Sequence, residues 1–294
     1  MTSPRQYILL LSLLLIPAGC GRPRTAYVRP DALYEQATEV ADDGRHLAAA
    51  RLLEQFARDF PHDQRAHVAQ YNSGIEYRAA GEPARAFRAF KTLRRRFEYS
   101  WLIPDANEHV LEIGRELLEA GDRLGLEALE FVITSARRSA SAVEAHLALG
   151  DYYYERGRFG DARHEFATVG AEYPNHEKAL YAEFRAALCA YRQIGRPVRN
   201  MQHLREARVR FQELVDSDLE PRQRELAERY LKATADLGAD RHLDMARFHL
   251  KQGRLSRARA HLEEVVRRYP EAGERVAAAQ EVLHLIQNRY NTEE

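Results

Sequence analysis

The chain has 294 residues and carries 44 basic and 44 acidic side chains, so its formal charge at neutral pH is zero. This balance argues against a strongly basic nucleic-acid-binding protein, and we expect no nucleic acid among the partners. The two cysteines are too few for a disulfide framework. The chain is rich in Ala, Arg, Glu and Leu and shows little alternation of β-branched residues, which predicts an all-α fold.

The first nineteen residues are predicted to be a signal peptide. Arg5 is the only charged residue before Cys20, and Tyr7–Ile16 is a run that is apolar apart from one serine. A helix of this length spans about 15 Å, half of a hydrocarbon core of roughly 30 Å, so the run is too short to cross a membrane. A basic start, a short apolar run and small residues before the cysteine therefore predict a signal peptide over residues 1–19.

A lipid anchor is predicted at Cys20. Pro17–Cys20 resembles the bacterial lipobox, whose cysteine is acylated after cleavage, although an aliphatic residue is usual where the proline stands. The alternative is an ordinary cysteine beside a signal-peptidase site at Ala18. Acyl chains would hold the protein on a membrane without a transmembrane helix. By resemblance to proteobacterial lipoproteins, Gly21 permits outer-membrane sorting, and residues 20–30 would be a lipidated tether that leaves the rest of the chain facing the periplasm.

A helix-pair pattern recurs through residues 31–290 and is clearest at residues 149–174. Six residues there match the tetratricopeptide pattern L-G-x2-Y…A-x3-F…P: Leu149, Gly150, Tyr153, Ala162, Phe166 and Pro174. The glycine and the alanine let two helices approach closely, the rings fill the space beside them, and the proline ends the second helix. Because one helix pair cannot bury its apolar faces alone, the pattern predicts further copies.

Three further copies are recognisable, at residues 33–61, 70–97 and 242–270. Their packing positions include Gly74, Tyr77, Ala86, Phe90, Ala258 and Pro270. Two looser copies lie between them. One runs through Gly114, Gly121 and Ala128, with about two extra residues in its turn. The other runs through Ala186, Ala207 and Phe211, and a polar stretch, Gly195–His203, separates its two helices.

These copies predict the overall architecture. We expect a tetratricopeptide-repeat right-handed α-solenoid of about five to six helix pairs over residues 31–290. The segment Glu271–Tyr290 lacks the repeat pattern but keeps helical spacing, so it is interpreted as a C-terminal capping helix. Residues 291–294 are expected to be a disordered tail.

Catalytic and metal-binding motifs are absent from the sequence, so we expect no enzymatic activity, no cofactor and no metal site. His242 and His249 could lie on one side of a helix, but no carboxylate evidently completes a metal site there. Cys189 stands in an apolar helix pattern and is expected to be a small buried side chain. The run Arg94–Arg96 is expected at a helix C-terminus, where cations offset the helix dipole. Binding of lipid headgroups is the alternative for this run.

The first helix of each repeat is expected to line a concave groove. By the repeat register, the groove-facing side chains include Tyr34, Tyr71, Ile75, Arg78, Leu147, Asp151 and Tyr154. The aromatic and aliphatic members could hold an extended peptide, and Arg78 could meet a carboxylate. The alternative is that these residues pack against neighbouring repeats or the tether. Tyr153 is assigned to packing and Tyr154 to recognition.

The lipobox cysteine, the short tether and the repeats together resemble the BamD family, the lipoprotein subunit of the outer-membrane β-barrel assembly machinery. The resemblance is best at Leu33–Pro61, at residues 186–215 and in the final repeat. In the middle segment Arg196 and Arg199 precede an A-x3-F helix, as in the family. Two features depart from the family pattern: a longer stretch at Ile103–Ser139 and an insertion without acidic residues.

The resemblance implies a scaffold without catalysis. The barrel-forming subunit would dock on its C-terminal repeats, and other assembly lipoproteins would be further partners. Its N-terminal groove would receive unfolded outer-membrane proteins, whose terminal strands end in an aromatic residue and a carboxylate. The alternative is a tetratricopeptide lipoprotein that serves another envelope complex, either as a pilotin-like scaffold for a secretin or as a coordinator of cell-division or peptidoglycan enzymes.

Overall fold

The computed structural model describes residues 29–195, 198 and 200–292. Cys20, the predicted signal peptide and the tether up to residue 28 lie outside the described residues, as do Arg196 and Arg199. In the described part, helices are joined by turns and one short 3-10 turn, and there is no strand. The helices are α1 (Pro30–Asp42), α2 (His46–Asp59), α3 (Ala66–Ala79), α4 (Pro83–Arg96), α5 (Ile103–Glu119), α6 (Leu124–Ser135), α7 (Ala140–Glu155), α8 (Phe159–Glu172), α9 (Ala179–Gln193), α10 (Met201–Val215), α11 (Pro221–Lys251), α12 (Leu255–Arg268) and α13 (Gly273–Thr292).

The helices of the described residues form six pairs and a final single helix. Each helix packs against the next one along the chain, from α1 on α2 to α12 on α13. We call the odd-numbered helices α1 to α11 the first helices and the even-numbered helices α2 to α12 the second helices. This order confirms the predicted all-α tetratricopeptide solenoid with a C-terminal capping helix.

A glycine with a left-handed backbone follows each first helix. These glycines have φ between 69° and 77°, a conformation that strains other residues: Gly44, Gly81, Gly121, Gly157, Gly195 and Gly253. At Gly157 the backbone N–H donates to the carbonyl of Tyr154 (3.0 Å), and the next N–H, from Arg158, donates to the carbonyl of Tyr153 (2.9 Å). Both hydrogen bonds satisfy carbonyls that the helix end would otherwise leave open, so the chain reverses within three residues.

Inside a pair, the two helices meet at a residue without a side chain. The ring of Phe166 lies over Gly150, where an added Cβ would be 2.6 Å from the ring, and Phe90 lies over Gly74 in the same way. Ala86, Ala162 and Ala258 are fully buried on the facing second helices. Close packing of this kind leaves no room for a larger residue.

The remaining repeat residues lie at the margins of these contacts. Tyr77 is buried and its hydroxyl donates to Glu54 Oε2 of the preceding repeat (2.8 Å). Tyr153 is half-buried under the guanidinium of Arg158, 4.5 Å from the ring centroid. Pro174 and Pro270 each stand two residues beyond the end of a second helix, α8 and α12.

The pair α5/α6 differs from its prediction. Its turn has four residues, 120–123, against three in the pair α7/α8, so it is longer by one residue and not by two. The close approach is made by Gly125, whose Cβ would lie 2.6 Å from the carbonyl oxygen of Gly114. Leu129 packs on Gly114 where the other pairs place a phenylalanine. Ala128, the small residue that the pattern named, is fully buried and also faces Gly114, but the prediction did not include Gly125.

Helix α11 is much longer than the repeat pattern indicates. The predicted last repeat begins at His242, but the helix runs without a break from Pro221 to Lys251. Its first half packs with α10 through Ala227 and Leu231, and its second half packs with α12. The helix continues through Gly238, where the Tyr269 ring packs in the space that a side chain would occupy.

The C-terminal end is closed by α13. Ala279 and Ile286 of this helix are buried in the same core cluster as Leu243 of α11 and Val265 of α12. The helix continues to Thr292, two residues beyond the predicted end of the solenoid. No helix in the described residues is both long enough and apolar enough to span a bilayer.

Candidate functional site

The seven predicted groove residues all lie on first helices. Tyr34 belongs to α1; Tyr71, Ile75 and Arg78 belong to α3; and the other three, Leu147, Asp151 and Tyr154, belong to α7. We call the surface that the first helices share the first-helix face. The structure shows what each of these side chains contacts there.

Arg78 joins two neighbouring repeats. Its guanidinium donates to Glu112 Oε2 (2.6 Å) and to Glu116 Oε1 (2.8 Å), both on α5. The two carboxylates are more than half exposed, whereas the arginine is only about one-quarter exposed. The cation that was predicted to meet a ligand carboxylate therefore already holds two carboxylates of the chain.

Tyr71 completes this cluster through His109. Arg78 donates to His109 Nδ1 (3.0 Å), which requires that nitrogen to be the acceptor and places the ring proton on Nε2. The Nε2–H then donates to the hydroxyl of Tyr71 (3.1 Å). Burial and the nearby Arg78 lower the pKa of His109, and burial raises the pKa of Tyr71. Both groups are neutral at pH 7, and together with Arg78 they fasten α3 to α5.

A second cluster fastens α7 to α9. Arg185 of α9 pairs with Asp151 Oδ1 (2.7 Å), and its guanidinium lies 4.8 Å from the ring centroid of Tyr154. Tyr154 also accepts a hydrogen bond from Arg192 Nε (3.3 Å). Burial raises the pKa of Asp151, and the charge of Arg185 opposes this shift. Because the carboxylate is half-buried, its ionised form depends on this arginine.

The other groove candidates also have partners within the chain. The ring of Tyr34 meets the edge of Phe56 at 5.1 Å between centroids and lies under the guanidinium of Arg65 (5.0 Å). Ile75 is half-buried against the central core, and Leu147 is buried. The contacts of the seven residues are therefore contacts between or within repeats of this chain.

A cavity of about 500 Å³ near the C-terminal end was not foreseen from the sequence. Its walls are Tyr191 of α9, Val198, the exposed side of α11 and Arg275 of α13. Arg275 pairs with Asp236 (2.9 Å) and Asp240 (2.6 Å) on α11. The spacing of Asp236, Asp240 and Asp244, four residues apart on one helix, is the signal that could have indicated this surface.

Two large apolar side chains of α11 are exposed, one in the cavity wall and one a helical turn beyond it. Met245 lines it with 37% of its surface accessible, and Phe248, one turn further along α11, is 50% exposed. Exposed apolar side chains that lie next to a concavity are typical of surfaces that bind another protein. We call the surface formed by Leu237, Met245 and Phe248 the α11 patch.

The described residues meet the requirements of neither a metal site nor a reactive cysteine. No group of three or more His, Cys, Asp or Glu side chains has the geometry to hold a metal ion in the part that the structure describes. Cys189 is fully buried and unpaired, and burial raises the pKa of its thiol to about 11. A thiol with so high a pKa is a poor nucleophile at neutral pH, so Cys189 is a packing residue.

The chain resembles known tetratricopeptide structures at low sequence identity. A tetratricopeptide repeat protein from Parabacteroides merdae is 13% identical over 88% of this chain and 98% of its own, with a TM-score of 0.35. The C-terminal part of a repeat-containing protein from Cytophaga hutchinsonii is 14% identical over 86% of this chain and 88% of its own, with a TM-score of 0.38. No curated protein sequence matches the chain.

A family model gives the stronger result. The model described as "YfiO: Outer membrane lipoprotein" matches residues 114–293, which is more than half of the chain and includes everything from the middle of α5 to the C-terminal end of the solenoid. The match covers the α11 patch, the cavity and both members of the Asp151–Arg185 pair. The chain therefore belongs to the YfiO, or BamD, family of outer-membrane lipoproteins, as a tetratricopeptide scaffold of that family.

Proposed function

We propose that the protein is an outer-membrane-anchored, periplasm-facing scaffold of the β-barrel assembly machinery. The observation that carries this proposal is the family match over residues 114–293. In the proposal, Cys20 bears the lipid, and the solenoid binds the barrel-forming subunit, other assembly lipoproteins and unfolded outer-membrane proteins. No catalysis is needed, because a scaffold acts by holding its partners in position.

The α11 patch supports docking of the barrel-forming subunit on the C-terminal repeats. Phe248 and Met245 are exposed on a helix that is anchored on both sides, by α10 and α12, so the patch is presented on a rigid element. The adjacent cavity offers room for an inserted side chain. A rigid aromatic side chain beside a pocket has the character of a binding hot spot.

The client segment is proposed to lie along the N-terminal part of the first-helix face. The C-terminal carboxylate of a client would replace Glu112 or Glu116 as the partner of Arg78. Both glutamates are more than half exposed, so little stability is lost when one of these ion pairs is broken. The ring of Tyr71 and, further along this face on α7, the ring of Tyr154 are only half-buried, so an aromatic side chain of the client could pack against them.

Depletion tests the proposal. Loss of the protein from its native host should lower the amount of folded, heat-modifiable barrel proteins in the outer membrane, and a plasmid copy should restore them. A copy with Phe248→Ala should restore them poorly and co-purify with less barrel-forming subunit. Leu285→Ala is the matched control, because Leu285 is similarly exposed (61%) but lies on α13, away from the patch.

Unchanged barrel levels after depletion would contradict the proposal and would favour a scaffold for a secretin or for peptidoglycan enzymes. Full complementation by Phe248→Ala would contradict only the proposed docking role of the α11 patch and would leave the assembly function standing.

A further inference from the structure

Two aromatic side chains project into solvent between α4 and α5. Tyr99 is 93% exposed and Trp101, the one tryptophan of the chain, is 70% exposed. Both belong to the short connection at residues 97–102, which we call the aromatic corner. Large aromatic side chains are seldom left this exposed unless they contact a partner or a membrane interface.

Arginines surround the aromatic corner. Arg94, Arg95 and Arg96 end α4, and the exposed residues Arg137 and Arg138 stand in the next connection, between α6 and α7. None of these five forms an ion pair with another residue in the described part of the chain, although arginines elsewhere, such as Arg78 and Arg185, do. Glu98 lies within the corner and Asp105 in the first turn of α5, while the preceding acids on this edge, Asp59 and Asp63, pair with Arg58 and Arg65.

The helix order places the corner on the same edge as the start of the solenoid. Successive helices alternate in direction, so every connection from a second helix to a first helix lies on the edge where α1 begins. Contacts along this edge agree: Asp31 pairs with Arg65 (2.9 Å), and His67 hydrogen-bonds the hydroxyl of Ser100 in the corner (3.0 Å). The nine residues between the predicted lipid at Cys20 and the solenoid can span at most about 30 Å.

The charge on this edge changes along the solenoid. The connections after α4 and α6 carry the two exposed rings and the five arginines that form no ion pair within the described residues. Towards the C-terminal end, the connection between α10 and α11 carries the exposed acids Asp216, Asp218 and Glu220 followed by Arg222, and the arginines at the end of α12, Arg267 and Arg268, pair with Glu264. An anionic surface would therefore attract the first region more strongly than the second.

We propose that the aromatic corner and its arginines are a second membrane contact, which rests on the headgroups of an anionic phospholipid bilayer next to the lipid anchor. Tryptophan and tyrosine favour the headgroup level of a bilayer, and arginines without carboxylate partners favour anionic lipids. The contact fixes the tilt of the solenoid, with its N-terminal repeats against the bilayer and the α11 patch directed away from it. The placement of this edge beside a bilayer rests on the Cys20 anchor of the proposed function. The affinity of the aromatic corner for anionic headgroups does not depend on that anchor.

The single tryptophan makes the contact measurable. The full acylated chain, purified in detergent, is reconstituted into phosphatidylethanolamine vesicles with or without phosphatidylglycerol. With the anionic lipid, Trp101 emission should shift to shorter wavelength and be quenched by phospholipids brominated high on the acyl chain. Arg94→Gln/Arg95→Gln/Arg96→Gln should lose most of the shift and quenching.

A matched triple variant controls for the loss of charge. Arg123→Gln/Arg254→Gln/Arg257→Gln removes three exposed arginines from the opposite edge, where first helices turn into second helices, and should leave Trp101 emission as in the wild type. Urea unfolding of both variants checks that the solenoid is intact. Tyr99→Ala, an exposed substitution, should reduce the quenching without changing the unfolding midpoint.

Vesicle flotation separates this proposal from the anchor. Flotation that depends on Cys20, with Trp101 emission unchanged by anionic lipid, would overturn the membrane contact and leave the anchor standing. Quenching of Trp101 in a Cys20→Ala chain supports the contact, because it shows lipid binding without the anchor. Loss of a co-purifying protein in the Arg94–Arg96 variant, with no quenching in the wild type, would assign the corner to a protein partner and overturn the proposal.

Discussion

The smallest side chains decide how closely the paired helices approach. Gly150 receives the Phe166 ring, and Ala162 is fully buried where α8 faces α7. Helix axes can come this near only if the residue at the crossing is glycine or alanine, since packed interiors have no spare volume. The size of these residues, more than their chemistry, sets the geometry of the repeat.

Ala162→Leu should therefore overpack the α7/α8 crossing. Three extra carbon atoms at a fully buried position force side chains off their rotamers, and we expect a loss of about 1–3 kcal/mol in the free energy of unfolding. Urea denaturation followed by circular dichroism measures this as a lower midpoint with an unchanged slope. Ala171→Leu, the same change at an exposed position of α8, is the control. Equal midpoints for the two variants would show that the crossing lies elsewhere.

Local signals in the sequence could predict the turn glycines and the small residues at the crossings, because both are set by backbone conformation and contact within one helix pair. The partners on the first-helix face could not be predicted in this way. Asp151 and Arg185 are 34 positions apart, and their pairing depends on the rotation from one repeat to the next. For the same reason, Arg78 was expected to be available to a ligand, although α5 supplies two carboxylates to it.

At the scale of elements, α11 and α12 enclose three histidines. His242 Nδ1 lies 3.3 Å from His261 Nδ1, and the His249 ring stacks on the His261 ring with centroids 5.5 Å apart. Burial lowers the pKa of His242, and His261 and Arg268 lower it further, while Glu264 opposes them. This hairpin therefore favours the neutral form of His242.

The α11/α12 hairpin should be sensitive to mild acid. A folded-state pKa below the unfolded value of about 6.5 means that the unfolded chain binds the proton more tightly. The stability from neutral His242 is thus fully present above pH 6.5 and is lost as the pH falls toward the folded-state pKa. Between pH 7 and pH 5, the urea midpoint of the wild type should fall more than that of His242→Gln. His164→Gln, an exposed substitution on α8, should follow the wild type, and parallel curves for all three would contradict the prediction.

The long helix α11 shows where repeat patterns stop being informative. The pattern locates His242–Lys251 as a first helix because the turn glycine, Gly253, and the small residue, Ala258, follow at the usual spacing. The preceding residues, from Pro221 onward, carry no such markers and extend the same helix. A repeat signature identifies which residues pack within a pair, but the start of a helix depends on its cap and on the neighbours that cover it.

The whole molecule is held together by contacts between near neighbours in sequence. Each helix packs mainly on the helices before and after it, and the buried residues divide into successive clusters along the chain. In such an array the stability is close to a sum over repeats and their interfaces, and the terminal units protect the apolar faces behind them. The fold class and the cap were predictable because this architecture is encoded repeat by repeat.

Removal of the cap should therefore weaken one end of the solenoid and spare the other. A chain that ends at Pro270 lacks Ala272, Ala279 and Ile286, and so exposes the apolar surface of α11 and α12 that they cover. Hydrogen exchange should show loss of protection in α11 and α12 and unchanged protection in α1 to α8. A chain that ends at Asn288 keeps all three buried residues and should exchange like the full protein. Uniform loss of protection across the solenoid would instead show that it unfolds as one cooperative unit.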